Sequence, residues 1–164
     1  MNEKKNRLIR AMIAYDKGDP KRISHFLKVY EFARLIGEGE GLSPEEQEIL
    51  ETAAIVHDIV IKNAEAKFGS CAGKFQEQEG PKEAQKLLQS LDYEPELISR
   101  VSYLVGHHQT YTNVNGRDYR ILLEADFLVN LYEDGETKKA VQRAYETIFE
   151  TNTGKNICKM MFDI

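Results

Sequence analysis

Apolar residues recur at helical spacing along most of the chain, and this pattern constrains the fold more than any other feature. A first segment, residues 3–17, carries Leu8, Ile9, Met12 and Ile13 on one face and stops at Gly18. Later segments with the same spacing predict helices at 81–91, 94–108, 119–132 and 136–150. No run shows the alternation expected of a strand. The sequence therefore predicts an all-α protein.

Local end signals delimit two further predicted helices. Asp19-Pro20 supplies an N-cap followed by proline at the first helical position, and that helix should end at Gly37 to Gly41. Ser43 and Glu46 have the spacing of a capping box, which starts a helix that carries His57 near its end. Residues 63–79 show no period and are expected to form a long loop, whereas the pattern of residues 151–164 is indecisive.

Composition excludes several classes of protein. The chain has 164 residues, 41% of them apolar and 30% charged, which predicts one compact helical-bundle domain over 1–164. Its net charge of −5 comes from interspersed acids and bases, so no binding of a nucleic-acid duplex is expected. No apolar run is long enough to span a membrane, and the first 20 residues lack the core of a signal peptide. Cys71 and Cys158 match no zinc or redox spacing, so a cytoplasmic location is expected.

The segment AAIVHDIVIK, residues 53–62, carries His57 and Asp58 side by side within an apolar run. An ionised carboxylate is costly to bury unless a partner compensates its charge. Asp126 raises the same problem, since it lies among apolar neighbours in ILLEADFLVNL with no cation at helical spacing. Its neighbour Glu124 differs, because Arg120 one turn earlier offers it an exposed partner.

A divalent cation would compensate both carboxylates at once. With His25, which lies inside an amphipathic segment, the chain offers two imidazoles and two carboxylates. Such a mixed set suits Fe, Mn, Co, Ni or Zn better than magnesium. Adjacent helical residues diverge by about 100°, so His57 and Asp58 reach one ion only from near a helix end. Two alternatives stay open: His25 as a hydrogen-bonded core residue, and Asp126 as the partner of a distant arginine.

The ordered set of RISHFLKVYEFARLI, AAIVHDI and EADFLVN resembles the HD domain superfamily of metal-dependent phosphohydrolases over about residues 20–132. The resemblance implies a compact bundle of helices of the HD-domain type, with His25, His57, Asp58 and Asp126 as ligands of a divalent metal. It also implies hydrolysis of a nucleotide or related small phosphate ester by attack of a metal-bound water on phosphorus.

The resemblance suggests roles for further residues. Some two-metal members carry extra histidines, so His107, His108 and Glu79 are expected either to bind a second ion or to contact phosphate. Capping of a helix end by His107 or His108 is the alternative. Asp58 is expected to assist the attacking water, with Lys62 and Arg22 as groups that bind substrate or stabilise its phosphoryl oxygens. The 63–79 loop is expected to cover the pocket.

Two other functions remain open for such a chain. Some relatives with two irons catalyse oxygen-dependent reactions, so a di-iron oxygenase on the same scaffold is one alternative. The other alternative is a module that senses a nucleotide and whose metal site is not catalytic. Whether the chain forms a homodimer is also left open by the sequence.

Overall fold

The computed structural model describes residues 2–60 and 73–164, and the side chains of 73–75 are not part of that description. These residues form eight helices and contain no strand, which confirms the all-α prediction. The helices are α1 (Glu3–Tyr15), α2 (Pro20–Gly39), α3 (Pro44–Val56), α4 (Gly73–Ser90), α5 (Pro95–His107), α6 (Arg117–Glu133), α7 (Lys138–Thr147) and α8 (Asn152–Phe162). Within this part of the chain, no helix is both long and apolar enough to cross a membrane.

The two predicted helix starts are present in the structure. The Asp19 side chain accepts a hydrogen bond from the backbone N–H of Arg22 at the start of α2, and Pro20 occupies the first turn. At α3, the Ser43 hydroxyl accepts from the N–H of Glu46, while the Glu46 carboxylate accepts from the N–H of Ser43. These reciprocal bonds satisfy backbone donors that the helix itself leaves unpaired.

Helix α3 lies at the centre of the bundle. Every residue from 50 to 56 is buried, and α3 packs against α1, α2, α5 and α6. Helix α2 also packs against α6, so α2, α3 and α6 meet around one core. This arrangement brings the predicted site residues, which come from α2, from the end of α3 and from α6, towards a common point.

The predicted loop at 63–79 is wrong for residues 73–79, which belong to α4, and its residues up to 72 lie outside the described part. Gly80 and Pro81 weaken the local helical signal. Packing against α5 compensates for this: a Cβ at Gly80 would lie 3.0 Å from Val105, and one at Gly106 would lie 3.0 Å from Pro81. The two glycines therefore allow a close helix–helix contact that the sequence period does not reveal.

The expectation that Glu124 pairs with Arg120 at the surface is also wrong, because Glu124 is fully buried. Its carboxylate accepts hydrogen bonds from the backbone N–H groups of Glu150 (2.8 Å) and Thr151 (3.0 Å) and from the Thr151 hydroxyl (2.6 Å). Arg120 pairs instead with Glu150, at 2.8 Å. Glu124 therefore fixes the start of α8, the segment whose pattern was indecisive.

Candidate metal centre

His57 and Asp58 follow the last residue of α3. Val56 ends the helix, His57 occupies its C-cap, and Asp58 lies in the turn that follows. Inside a helix, adjacent side chains diverge too far to meet at one point. At the helix end, the side chains of His57 and Asp58 can converge. His25 reaches the same point from α2 and Asp126 from α6.

The four side chains form a tight cluster of alternating nitrogen and oxygen atoms. The Nε2 atoms of His25 and His57 each lie 3.2 Å from Oδ2 of Asp58. The same two nitrogens each lie 3.4 Å from Oδ1 of Asp126. Ligands of one ion with bonds of about 2.0–2.2 Å lie roughly 2.8–3.6 Å apart at octahedral or tetrahedral angles. The spacing therefore fits a single metal ion.

The hydrogen bonds made by the Nδ1 atoms of His57 and His25 determine which ring nitrogen carries a proton. The Nδ1–H of His57 donates to the carbonyl oxygen of Ala54 at 2.7 Å, and the Nδ1–H of His25 donates to Oε1 of Glu133 at 2.8 Å. A carbonyl oxygen or a carboxylate can only accept, so each Nδ1 carries a proton. In the neutral rings, the Nε2 lone pairs are then available to a metal, as in the outer-shell arrangement of most metal-binding histidines.

Several buried atoms of the cluster have no hydrogen-bond partner. They are the Nε2 atoms of His25 and His57 and Oδ1 of Asp126. Unpartnered buried polar atoms are rare in folded proteins, and each requires an explanation. A cation contacting all three atoms supplies one, so the residues present fit the divalent metal that the sequence predicted. One ligand atom from each of His25, His57 and Asp58 lies within 4.8 Å of the others, a group that could hold an ion.

The charges of the cluster are strongly coupled. Burial alone lowers the pKa of His25, but the adjacent carboxylates of Asp126 and Asp58 raise that pKa to about 9. For both aspartates, burial raises the pKa while the neighbouring imidazoles hold it below its usual range. The ionised carboxylates of Asp58 and Asp126 thus both face the imidazoles of His25 and His57. Their negative charge in this buried site requires compensation by protons on the imidazoles or by a metal ion.

The structure separates the two adjacent histidines. His108 is buried, its Nδ1–H donates to the carbonyl of Val105 (2.7 Å), and its Nε2 lies 3.2 Å from Oδ1 of Asp58 without a hydrogen bond. His107 instead stacks on Tyr103, with ring centroids 4.0 Å apart, and donates to the Tyr103 carbonyl. Asp58 therefore presents one oxygen to His25 and His57 and the other oxygen to His108.

The remaining predicted site residues differ in position. Arg22 lies one turn before His25, with Nη1 4.0 Å from Oδ2 of Asp58. Glu79 lies on α4 and pairs with Lys82 at 3.3 Å, and no contact joins it to the cluster among the described residues. Lys62 lies outside the described residues.

Sequence reasoning missed Glu133, whose Oε1 accepts the hydrogen bond from Nδ1–H of His25. Its second oxygen, Oε2, accepts a hydrogen bond from Nζ of Lys28 at 3.1 Å. Burial raises the pKa of the Glu133 carboxyl, but its contacts with His25 and Lys28 outweigh this and lower it. The available signal was spacing, since Glu133 follows Asp126 by seven residues and so shares a face of α6 with it.

Comparison with known proteins identifies the family to which the chain belongs. The model of the HD domain family matches residues 22–141. The chain belongs to the HD domain family. Its resemblance to that family is thereby confirmed, and the matched range includes all four residues of the cluster.

A solved structure shows that the fold of this HD domain chain also occurs elsewhere. The crystal structure of a predicted HD superfamily hydrolase from an uncultured Thermotogales bacterium superposes with a TM-score of 0.68. The two sequences are 24% identical, and the match covers 96% of this chain and 84% of the other. No curated protein matches the chain significantly.

Proposed function

We propose that this HD domain chain is a metal-dependent phosphohydrolase that acts on a nucleotide or another small phosphate ester, with residues 1–164 as a single domain. The observation that supports it is the convergence of His25, His57, Asp58 and Asp126, whose inward-facing atoms include three that are buried without partners. A mixed nitrogen and oxygen set of this kind favours Fe, Mn, Co, Ni or Zn.

The four residues would hold the ion directly. When bound, such an ion lowers the pKa of a water molecule to near 7 and neutralises charge that develops on a phosphoryl oxygen. The outer contacts support this role: Glu133 and the Ala54 carbonyl keep the two imidazoles oriented with Nε2 inward.

Other residues of the chain would bind the phosphoryl group and assist the water. Asp58, as an acceptor beside the ion, would take a hydrogen bond from the attacking water and orient it towards phosphorus. Arg22, whose guanidinium lies 4.0 Å from Asp58, would bind a non-bridging oxygen and stabilise its growing charge. The predicted role of Lys62 in the same stabilisation remains part of the proposal.

The position of His108 supports a second ion. Its Nε2 lies beside the Asp58 oxygen that does not face His25 and His57, and that nitrogen is buried without a partner. Asp58 and His108 would therefore hold the second ion. His107 and Glu79 do not share this geometry, since the first stacks on Tyr103 and the second pairs with Lys82.

Elemental analysis of the purified protein tests the proposal, with His57→Ala as the disrupting variant and His107→Ala as its control. Both variants remove one imidazole, but only His57 contributes to the cluster. We expect near-stoichiometric transition metal in the wild type and in His107→Ala, and its loss in His57→Ala. A screen of nucleotides and small phosphate esters with the metal found should then show hydrolysis that His57→Ala lacks.

The other outcomes identify the alternatives. Nucleotide binding without turnover, with every divalent metal tried, would indicate a sensor module. A mixed-valent iron pair seen spectroscopically, with oxygen consumption and no phosphate release, would indicate an oxygenase. Absence of metal binding after reconstitution would contradict the proposal, and the cluster would then be a structural ion-pair network.

A further inference from the structure

The imidazole of His108 reaches the candidate metal centre from a turn at the end of α5. The backbone N–H of Thr110 donates to the carbonyl oxygen of His107 at 2.8 Å and closes this turn, which we call the histidine turn (residues 107–110). From it, Nε2 of His108 extends to within 3.2 Å of Oδ1 of Asp58. The distance between these two atoms therefore depends on the conformation of a segment that is leaving the helix.

The hydroxyl of Tyr119 joins the two ends of the histidine turn. Tyr119 lies in the first turn of α6, and only 1% of its surface is exposed. Its hydroxyl donates to the carbonyl oxygen of His107 at 3.0 Å and to that of Thr110 at 2.7 Å. A phenol carries a single proton, so the two oxygens share it. This proton holds together the backbone carbonyls on either side of His108.

Tyr119 is itself held in place by α5. Arg100 of α5 donates two hydrogen bonds to the carboxylate of Asp118, at 2.9 and 2.7 Å, and a pair of this kind fixes both position and orientation. Oδ1 of Asp118 also accepts from the backbone N–H of Tyr119 at 2.7 Å. The Tyr119 ring meets Tyr103 edge to face, with centroids 6.1 Å apart. Burial and then Tyr103 raise the pKa of the Tyr119 hydroxyl, which therefore remains a protonated donor.

A residue of α4 contacts the same turn in a different way. The side-chain amide of Gln109, which follows His108, donates to Oε1 of Gln76 at 2.9 Å, and Gln76 is buried. Gln76 thus restrains a side chain of the turn, whereas Tyr119 restrains its backbone. The direction in which the His108 side chain leaves the chain is set by the backbone. Tyr119 therefore has the more direct influence on the imidazole.

We propose that Tyr119 is a positioning residue, whose hydroxyl holds the histidine turn in the conformation that keeps Nε2 of His108 beside Oδ1 of Asp58. In the described part of the chain no contact joins Tyr119 to Asp58, so Tyr119 acts through His108. Without the hydroxyl, two carbonyl oxygens lose the donor that they share, and the turn opens more often. The inference rests on the proposed function for its effect on catalysis, and it holds whether His108 binds an ion or substrate phosphate.

Tyr119→Phe removes this hydroxyl and keeps the ring, and Tyr93→Phe is the matched control. Among the described residues Tyr93 is the other buried tyrosine, and its hydroxyl also donates to a backbone carbonyl, that of Lys4 at 3.5 Å. Tyr93 precedes the first residue of α5, whereas the histidine turn begins at its last residue. The 13 residues of that helix place the two about 20 Å apart. The variants therefore differ in whether the lost hydrogen bond lies at the histidine turn.

Exchange of imidazole protons reports on the turn in the metal-free protein. NMR measures how fast the Nδ1–H protons of His108 and His57 exchange with water. Each of these protons donates to the carbonyl oxygen three residues earlier, at 2.7 Å, so His57 serves as an internal reference. We expect exchange at His108 to be about ten-fold faster in Tyr119→Phe and within two-fold of wild type in Tyr93→Phe. Exchange at His57 should stay within two-fold in both variants.

Equal exchange at His108 in the two variants would overturn the inference. This holds even if Tyr119→Phe lowers the melting temperature, because Tyr119 would then only pack α5 against α6.

Kinetics separate this inference from the proposed function. With Mn²⁺ and p-nitrophenyl phosphate, kcat/KM should fall about ten-fold in Tyr119→Phe and less than two-fold in Tyr93→Phe. Once His108→Ala is present, adding Tyr119→Phe should alter kcat/KM less than two-fold, because Tyr119 acts through that imidazole. Equal losses from Tyr119→Phe in both backgrounds would overturn the inference and leave the phosphohydrolase standing. Faster exchange at His108 in Tyr119→Phe, without hydrolysis of any phosphate ester screened, would support the positioning role and overturn the phosphohydrolase.

Discussion

The Nδ1–H of His25 donates to Oε1 of Glu133 across 2.8 Å, although 108 positions separate the two residues in the chain. Lys28, one turn after His25 on α2, donates to the other oxygen of the same carboxylate. Together these contacts orient the His25 ring and place its Nε2 towards His57, Asp58 and Asp126. Glu133 would therefore act on a bound metal through His25, as a positioning residue.

Removal of the Glu133 carboxylate should weaken metal binding. Outer partners of ligating histidines commonly contribute 10- to 100-fold to metal affinity, so Glu133→Ala should lower affinity by about that factor. Glu133→Gln keeps an acceptor for the Nδ1–H and should lose less. Competition with a chromophoric chelator measures the affinity, and Glu146→Ala, an exposed carboxylate of α7, is the control. Equal affinity of Glu133→Ala and the control would show that Glu133 only holds the helices together.

Metal affinity should rise with pH up to about pH 9. The His25 pKa of the metal-free protein is raised from 6.5 to about 9, so below pH 9 a proton occupies the ring and must leave before a metal binds. Each proton displaced changes affinity by up to about ten-fold per pH unit in this range. Titration with Mn²⁺ or Ni²⁺ between pH 6 and 9 measures the slope. An affinity that stays constant over this range would contradict the prediction.

The same raised pKa predicts how the stability of the metal-free protein depends on pH. A group with a higher pKa in the folded state stabilises that state while it is protonated in both states, which for His25 means below about pH 6.5. This stabilisation is then lost as pH rises through 9. Urea unfolding of metal-free protein at pH 6, 7.5 and 9 should show a falling free energy of unfolding. A His25→Gln variant, which cannot titrate, should show a smaller decrease.

Substitution of His108 should separate the two proposed ions. The Nε2 of His108 lies beside the Asp58 oxygen that does not face His25 and His57, so His108→Ala should remove the second ion and keep the first. Isothermal titration of metal-free protein should give two binding events in the wild type and in His107→Ala, but one in His108→Ala. If the wild type binds one equivalent, a second ion is excluded and His108 is left to contact substrate phosphate.

A methyl group at Gly154 should destabilise the fold. A Cβ there would lie 2.0 Å from Oε1 of Glu124, and that carboxylate cannot move freely because it is buried and accepts three hydrogen bonds. We expect Gly154→Ala to lower the free energy of unfolding by about 1–3 kcal/mol, the usual cost of overpacking, despite the better helix propensity of alanine. Asn156→Ala, at an exposed position of the same helix, should change stability by less than about 0.5 kcal/mol. Equal stability of the two variants in thermal and urea unfolding would contradict this expectation.

The sequence by itself determined the helical class, the two capped helix starts and the pairing of His57 with Asp58 at a helix end. These features depend on interactions within about one helical turn, so the side chains that produce them are neighbours in the chain. The same holds for the family, whose motifs are short and ordered along the chain.

Only the tertiary structure decided the contacts between distant segments. It paired His25 with Glu133, separated His108 from His107, buried Glu124 under the start of α8, and made 73–79 helical through contact with α5. Each of these outcomes depends on contacts between residues far apart in the sequence, and so on how two or three helices pack. Local propensity and periodicity carry no information on such packing, because the free energy that decides it comes from surfaces that meet only in the folded chain.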